Sequence, residues 1–135
     1  MTYNLPYAEN ISWTPVVTGG SAAGTGTYTT QAGRYTRIGN MLFLQGVIVW
    51  SAHTGTGDMT ITGLPFPCRN QTNYNPEGIC NAISIPLPGS ALTVRTTIQP
   101  NSSTLALSAM VANNSNSPVQ MNNTGTLHIT ISYLI

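Results

Sequence analysis

Four arginines, three carboxylates, two histidines and two cysteines are the ionisable groups, tyrosines aside, that this 135-residue sequence offers for chemistry. A hydrolytic pair would need two of Glu9, Asp58 and Glu77 to converge at about 5 to 9 Å. Glu9 stands close to the N-terminus, and Glu77 sits in an Asn-Pro-Glu-Gly turn where a solvated carboxylate is the ordinary outcome. His53 and His128 are far apart, with no His-x-x-x-His, no Cys-x-x-Cys and no acidic cluster to hold zinc or calcium. No Gly-x-Ser-x-Gly elbow is present. Gly24-Thr25-Gly26 and Gly55-Thr56-Gly57 lack the helix and the Lys that a phosphate cradle requires. The expectation is a protein that is not an enzyme, with no catalytic residue, no cofactor and no metal.

Binding chemistry has one candidate. Glycans are held by aromatic faces beside amides, hydroxyls and the occasional arginine, carried on loops of a rigid β scaffold. The segment between Cys68 and Gly78 contains Arg69, Asn70, Gln71, Asn73, Tyr74 and Asn75, and Trp50 and His53 stand at the end of a long predicted strand. Arg69, Asn70, Asn73, Tyr74, Trp50 and His53 are therefore the candidate ligand contacts. The competing reading packs Trp50 in the core and leaves the asparagines to make turns.

The elements that would position these residues are strands. No stretch keeps an i, i+3, i+4, i+7 apolar pattern over three turns, whereas the C-terminal segment alternates, with Leu134 alone breaking its polar side. There Leu127, Ile129, Ile131, Tyr133 and Ile135 face one way, and His128, Thr130 and Ser132 the other. The segment from Met41 to Ser51 is apolar on both faces, with Met41, Phe43, Val47 and Val49 opposite Leu42, Leu44, Ile48 and Trp50. Such a strand should be covered on both sides, inside a sandwich or at a subunit contact. Further strands are expected at 11–17, 26–31, 34–38, 59–62, 79–85, 91–98, 104–111 and 119–121, divided by Gly, Pro and Asn turns. The pattern predicts one all-β domain, a jelly-roll-like antiparallel sandwich over residues 11–135, preceded by an arm over residues 1–10 whose Tyr3, Leu5 and Tyr7 are more apolar than a free tail needs.

Composition narrows the partners. Hydrophobic residues make up 41% and charged residues only 5%, with no lysine and a net charge of +1. Nucleic acid, which requires clustered cations, is not an expected partner. No apolar run is long enough to span a membrane, and the first residues show neither the basic nor the apolar region of a signal peptide. A host-secreted lectin is disfavoured on that ground, and Cys68 and Cys80 are expected to be reduced thiols. So little charge repulsion suits a chain held permanently in an assembly.

The order of Trp13-Thr14-Pro15, Gly26-Thr27-Tyr28, Gln31-Ala32-Gly33-Arg34-Tyr35-Thr36-Arg37-Ile38-Gly39-Asn40, the long strand through Gly46 and Ile61-Thr62-Gly63-Leu64-Pro65-Phe66 resembles small β domains at the ends of bacteriophage tail fibres and tailspikes. The match covers roughly residues 11–66, and Gly125 to Tyr133 follows more loosely. The resemblance implies a jelly-roll-like fold, a homotrimer, and a place on the virion surface among other virion proteins as a receptor-binding knob that contacts host-surface glycan. It carries over no catalytic residue. Such domains follow a long stalk, whereas about ten residues precede the matching region here. The chain is then either a piece of a longer fibre or an independent virion protein, a fibre tip or a capsid decoration trimer, the arm from Thr2 to Asn10 favouring the second.

Overall fold

A computed structural model describes residues 5–113 and 115–135. Tyr3 and the rest of the first four residues of the expected arm lie outside the described residues. The described residues form ten strands: β1 (Tyr7–Trp13), β2 (Val16–Gly19), β3 (Gly26–Ile38), β4 (Met41–His53), β5 (Met59–Thr62), β6 (Glu77–Ile83), β7 (Ala91–Ile98), β8 (Leu105–Val111), β9 (Asn116–Pro118) and β10 (Gly125–Leu134). No helix occurs among the described residues. All strands belong to one antiparallel sheet of order β1-β3-β4-β10-β6-β7-β8-β5-β2, with β9 on β8.

The sheet is rolled, and the sequence shows why. Residues 11–17 read as one strand, but Pro15 has no N–H to give a ladder, so the strand breaks at Thr14-Pro15 into β1 and β2. These two halves stand at opposite ends of the strand order. Three Cα steps from Trp13 to Val16 reach no further than about 11 Å, so the two edges of the sheet must come together. Inside the roll lies one cluster of buried side chains, including Leu42, Leu44, Ile48, Ile61, Leu105, Leu127, Ile131 and Tyr133.

β10 runs through the middle and behaves as its alternation requires. Leu127, Ile129, Ile131 and Tyr133 are buried, while His128, Thr130 and Ser132 point outward. β4 obeys the same period beside it: Leu42, Leu44, Gly46, Ile48 and Trp50 point inward. Its other face, Phe43 and Val47 above all, is left exposed by this chain, so the cover expected on both sides is supplied on one. β3 joins what the sequence divides into two strands: Ala32 and Gly33 pair in unbroken register with Val47 and Gly46 of β4, and the irregularities in register lie earlier, at Thr27/Tyr28 and Tyr28/Thr30. β1 takes up residues 7–10 of the expected arm by pairing with the end of β3 at Ile38 and Arg37.

The roll is closed by side chains where no ladder spans the seam. The Val17 N–H donates to the Tyr28 hydroxyl at 3.0 Å, and the Val17 carbonyl accepts from Tyr28 at 3.3 Å and from His53 Nε2 at 2.8 Å. The Gln31 amide donates to the Pro15 carbonyl at 2.9 Å. Replacing Tyr28 by Phe keeps the edge-on ring contact with His53 but strips the Val17 N–H of its acceptor. A loss of about 1 to 3 kcal/mol is expected for an orphaned backbone donor, read as a lower urea midpoint with an unchanged slope.

One buried group works against the fold. Thr96 is fully buried on the inner face of β7, and its hydroxyl has no hydrogen-bond partner among the described residues. Thr96→Val keeps the shape and removes the stranded hydroxyl, so the variant should gain about 1 kcal/mol, measured as a higher melting temperature.

Candidate functional site

The six residues singled out in the sequence fall into two groups at opposite ends of the roll. Trp50 pairs with Gly125 at the start of β10, whereas Arg69 and Tyr74 bond to Leu134 and Ile135 at its end. Nine residues of strand separate them, about 30 Å. They do not assemble into one site.

Trp50 and His53 are both buried. The Trp50 indole N–H donates to the Asn122 carbonyl at 3.0 Å, and its ring fills the space that Gly125 leaves open. His53 Nδ1 accepts from the Gly55 N–H at 2.9 Å, which leaves Nε2 to carry the proton donated to the Val17 carbonyl. Every polar atom of this imidazole is committed to the seam.

At the other end, the 68–76 loop is bound to the chain's own C-terminal strand. The Arg69 N–H donates to the Leu134 carbonyl at 2.8 Å and the Arg69 guanidinium to the Ile135 carbonyl at 3.1 Å. Tyr74 accepts the Leu134 N–H at 2.7 Å, and Tyr133 donates to the Phe66 carbonyl at 2.7 Å. Of the candidate contacts, Asn70 and Asn73 are exposed, and Asn73 sits at φ 61° in a turn. The loop thus spends its arginine and its tyrosine on holding β10 and presents amides with the Thr72 hydroxyl among them.

Cys68 and Cys80 are free and buried, and burial pushes the Cys80 thiol up to about 12 and the Cys68 thiol upward, so neither is prepared as a nucleophile. Among the described residues no three His, Cys, Asp or Glu side chains gather where they could share a cation.

The residues that carry the family resemblance pack on one another. Gly63, at φ +86°, brings its backbone against the Thr14 carbonyl, where a Cβ would collide. The Phe66 ring meets Tyr35 edge-on at 5.8 Å and lies 5.4 Å from the Arg37 guanidinium. Trp13 lies on Gly33 and Gly46, its indole N–H shared between the Arg34 and Gln45 carbonyls at 3.3 and 3.1 Å. The motif is a packing unit around the β1–β2 break.

What sequence reading missed is the contribution of β6 to the outer face that it shares with β4 and β10. Phe43 is 48% exposed, Ile79 71% and Ile83 43%, with Leu92 of β7 beside them at 72%. A shallow depression of about 380 Å³ on the same face is bordered by Arg34, Gln45, Val47, His128 and Thr130. The apolar outward positions of β4 were legible in the sequence. Those of β6 were not, because Ile79 and Ile83 alternate with Cys80 and Ala82, and period alone does not say which set turns inward. Set against protein-family models, curated proteins and solved structures, the chain matches none of them.

Proposed function

We propose that the chain is a structural protein of a bacteriophage particle, working as a homotrimer on the virion surface as a fibre-tip or knob domain. One observation carries the reading: an almost uncharged chain leaves large apolar side chains, Phe43, Ile79, Ile83 and Leu92, exposed on strands at the centre of its sheet. Large apolar side chains left exposed on central strands suit a contact with another protein, and a second copy is the partner always at hand. The motif order resembling fibre-end domains supports the virion assignment, and a sheet rolled about one core is compatible with the jelly-roll-like sandwich that this resemblance implies. In this role the protein acts by shape and adhesion.

A second reading, a capsid decoration protein without a receptor role, is favoured by the bonding of the 68–76 loop, whose Arg69 and Tyr74 are occupied by β10. Purified particles should contain the polypeptide on either reading, and its absence from them contradicts both. Particles lacking it separate the two: lost adsorption to the host supports the knob, whereas normal adsorption with lost resistance to heat or osmotic shock supports decoration.

A further inference from the structure

Three of the four arginines are occupied within the chain. Arg37 donates to the Gly39 carbonyl at 2.8 Å and lies over the Phe66 ring, Arg69 donates to the Ile135 carbonyl, and Arg95 holds both Glu77 and Asn116. Arg34 is exposed on β3, and among the described residues its guanidinium makes one long bond, 3.4 Å to the Asn10 carbonyl. The only ion pair among the described residues is that of Arg95 with Glu77. Asp58 is held by Gln120 just before β5, and Glu9 lies in the bulge of β1, where the residue level with Arg34 is Ser12. A cation thus stands on the outer face without a counter-charge.

The register surrounds it with donors. Gln45 of β4 and Thr130 of β10 lie level with Arg34, and Val47 and His128 lie level with Ala32, all on the outer face. Neighbouring strands are about 4.8 Å apart and alternate residues of one strand about 6.8 Å, so the four polar side chains border a space roughly 10 Å across. Ala32 contributes only a methyl, and here lies the depression of about 380 Å³. Guanidinium, amide, hydroxyl and imidazole can all donate, and the first is permanently charged.

We propose that this depression binds one oxyanion, a carboxylate, sulfate or phosphate group, with Arg34 as its charge partner and Gln45, Thr130 and His128 as further donors. The forked guanidinium suits two oxygens of such a group. All four residues come from one chain, so the site does not depend on the assembly proposed above. The two agree where a sister copy covers this face: a guanidinium taken out of water needs a counter-charge, and a bound anion supplies it. A second depression of about 150 Å³ shares Arg34 and Gln45 and is bordered by Asn10, Thr36 and Phe43. Phe43 is 48% exposed, so an anion borne on a sugar ring has an apolar aromatic face beside its anchor, which a free inorganic ion does not use.

Equilibrium dialysis of the purified chain against labelled inorganic phosphate, at an ionic strength held constant with sodium chloride, tests the site. One phosphate per chain is expected. Arg34→Gln, an exposed change, should fold as the unaltered chain does and bind at least roughly tenfold more weakly, and Gln45→Ala should lose about threefold. Ser132→Ala, outward on β10 beyond the depression, should lose nothing. Competition separates the sources of the anion. Glucuronate displacing phosphate better than acetate does, with the advantage lost in Phe43→Ala, assigns the group to an acidic sugar, whereas equal displacement by the two assigns it to a free ion. No saturable binding by the unaltered chain, or binding that Arg34→Gln leaves intact, would overturn the site. Neither result concerns the mass of the species in solution, so the assembly stands or falls by its own measurement.

Discussion

Ile131→Asp is expected to abolish folding: the variant should accumulate insoluble, or show no cooperative melt and no strand signal in far-ultraviolet circular dichroism. Ile131 is 2% exposed in the middle of β10, opposite Leu44 of β4 and pressed against the Cα of Gly78 on β6, where a Cβ on that glycine would come within 2.7 Å of it. An aspartate there has no cation to meet, since the four arginines lie on the outer face, in the β1–β3 region, or at the end of β10. Keeping the carboxyl neutral or hydrating it inside the roll costs several kcal/mol, out of a total of about 5 to 15 for a domain of this kind. The control is the neighbouring outward position. Thr130→Asp leaves the core untouched, so it should fold with nearly unchanged melting temperature. A well-folded Ile131→Asp beside an unfolded Thr130→Asp would mean that the faces of β10 are exchanged.

Gly33→Val should be the second most damaging change. Gly33 and Gly46 stand opposite one another on β3 and β4, and together they form a niche for the Trp13 indole. A Cβ on Gly33 would fall 2.5 Å from indole atoms, and the ring has nowhere to go, because its N–H is shared between carbonyls on both strands and Gly46 bounds its far edge. Displacing the indole opens the β1–β2 corner on which the closure of the roll depends. A loss of about 3 kcal/mol is expected, the upper end of the range for overpacking, seen as a melting temperature lower by about 10 °C and a blue-shifted tryptophan emission moving red. Gly46→Ala, whose added atom would lie 3.2 Å from Ile129 and 3.3 Å from Trp13, should lose less. Equal losses for the two would show that the indole is not seated as described.

These two residues show what was legible before the structure. The burial of Ile131 follows from strict alternation in β10, a signal carried within ten residues, and β5 and β7 were bounded for the same reason by clear turns on either side. The role of Gly33 was hidden, because it arises from a tryptophan twenty residues earlier and a glycine thirteen residues later. The break at Pro15 also escaped, since its apolar surroundings read as continuous strand until the partner of each half is known. β9 was placed three residues late: Val119 is apolar and fully buried, yet it exchanges bonds with Leu107 and Met59 between strands, while pairing with β8 takes 116–118.

That the six candidate contacts do not converge has a related reason. Arg69, Tyr74, Trp50 and His53 are the residue types that hold sugars, and those same types bond backbone carbonyls or, for Tyr74, a backbone N–H when a rolled sheet has to be closed without a complete ladder. Which use prevails depends on where the edges meet, and that is decided by pairing between strands far apart in the chain. The apolar character of the outer β4 face, in contrast, was visible from period alone, and the structure leaves it uncovered by its own chain.

The central claim is that this uncovered face is shielded by sister copies in a closed group of three. Sedimentation equilibrium of the purified chain at micromolar concentration addresses it directly. The account predicts a single species of three times the 14.3 kDa chain mass, persisting on dilution. A stable species of one chain mass across that concentration range would contradict it.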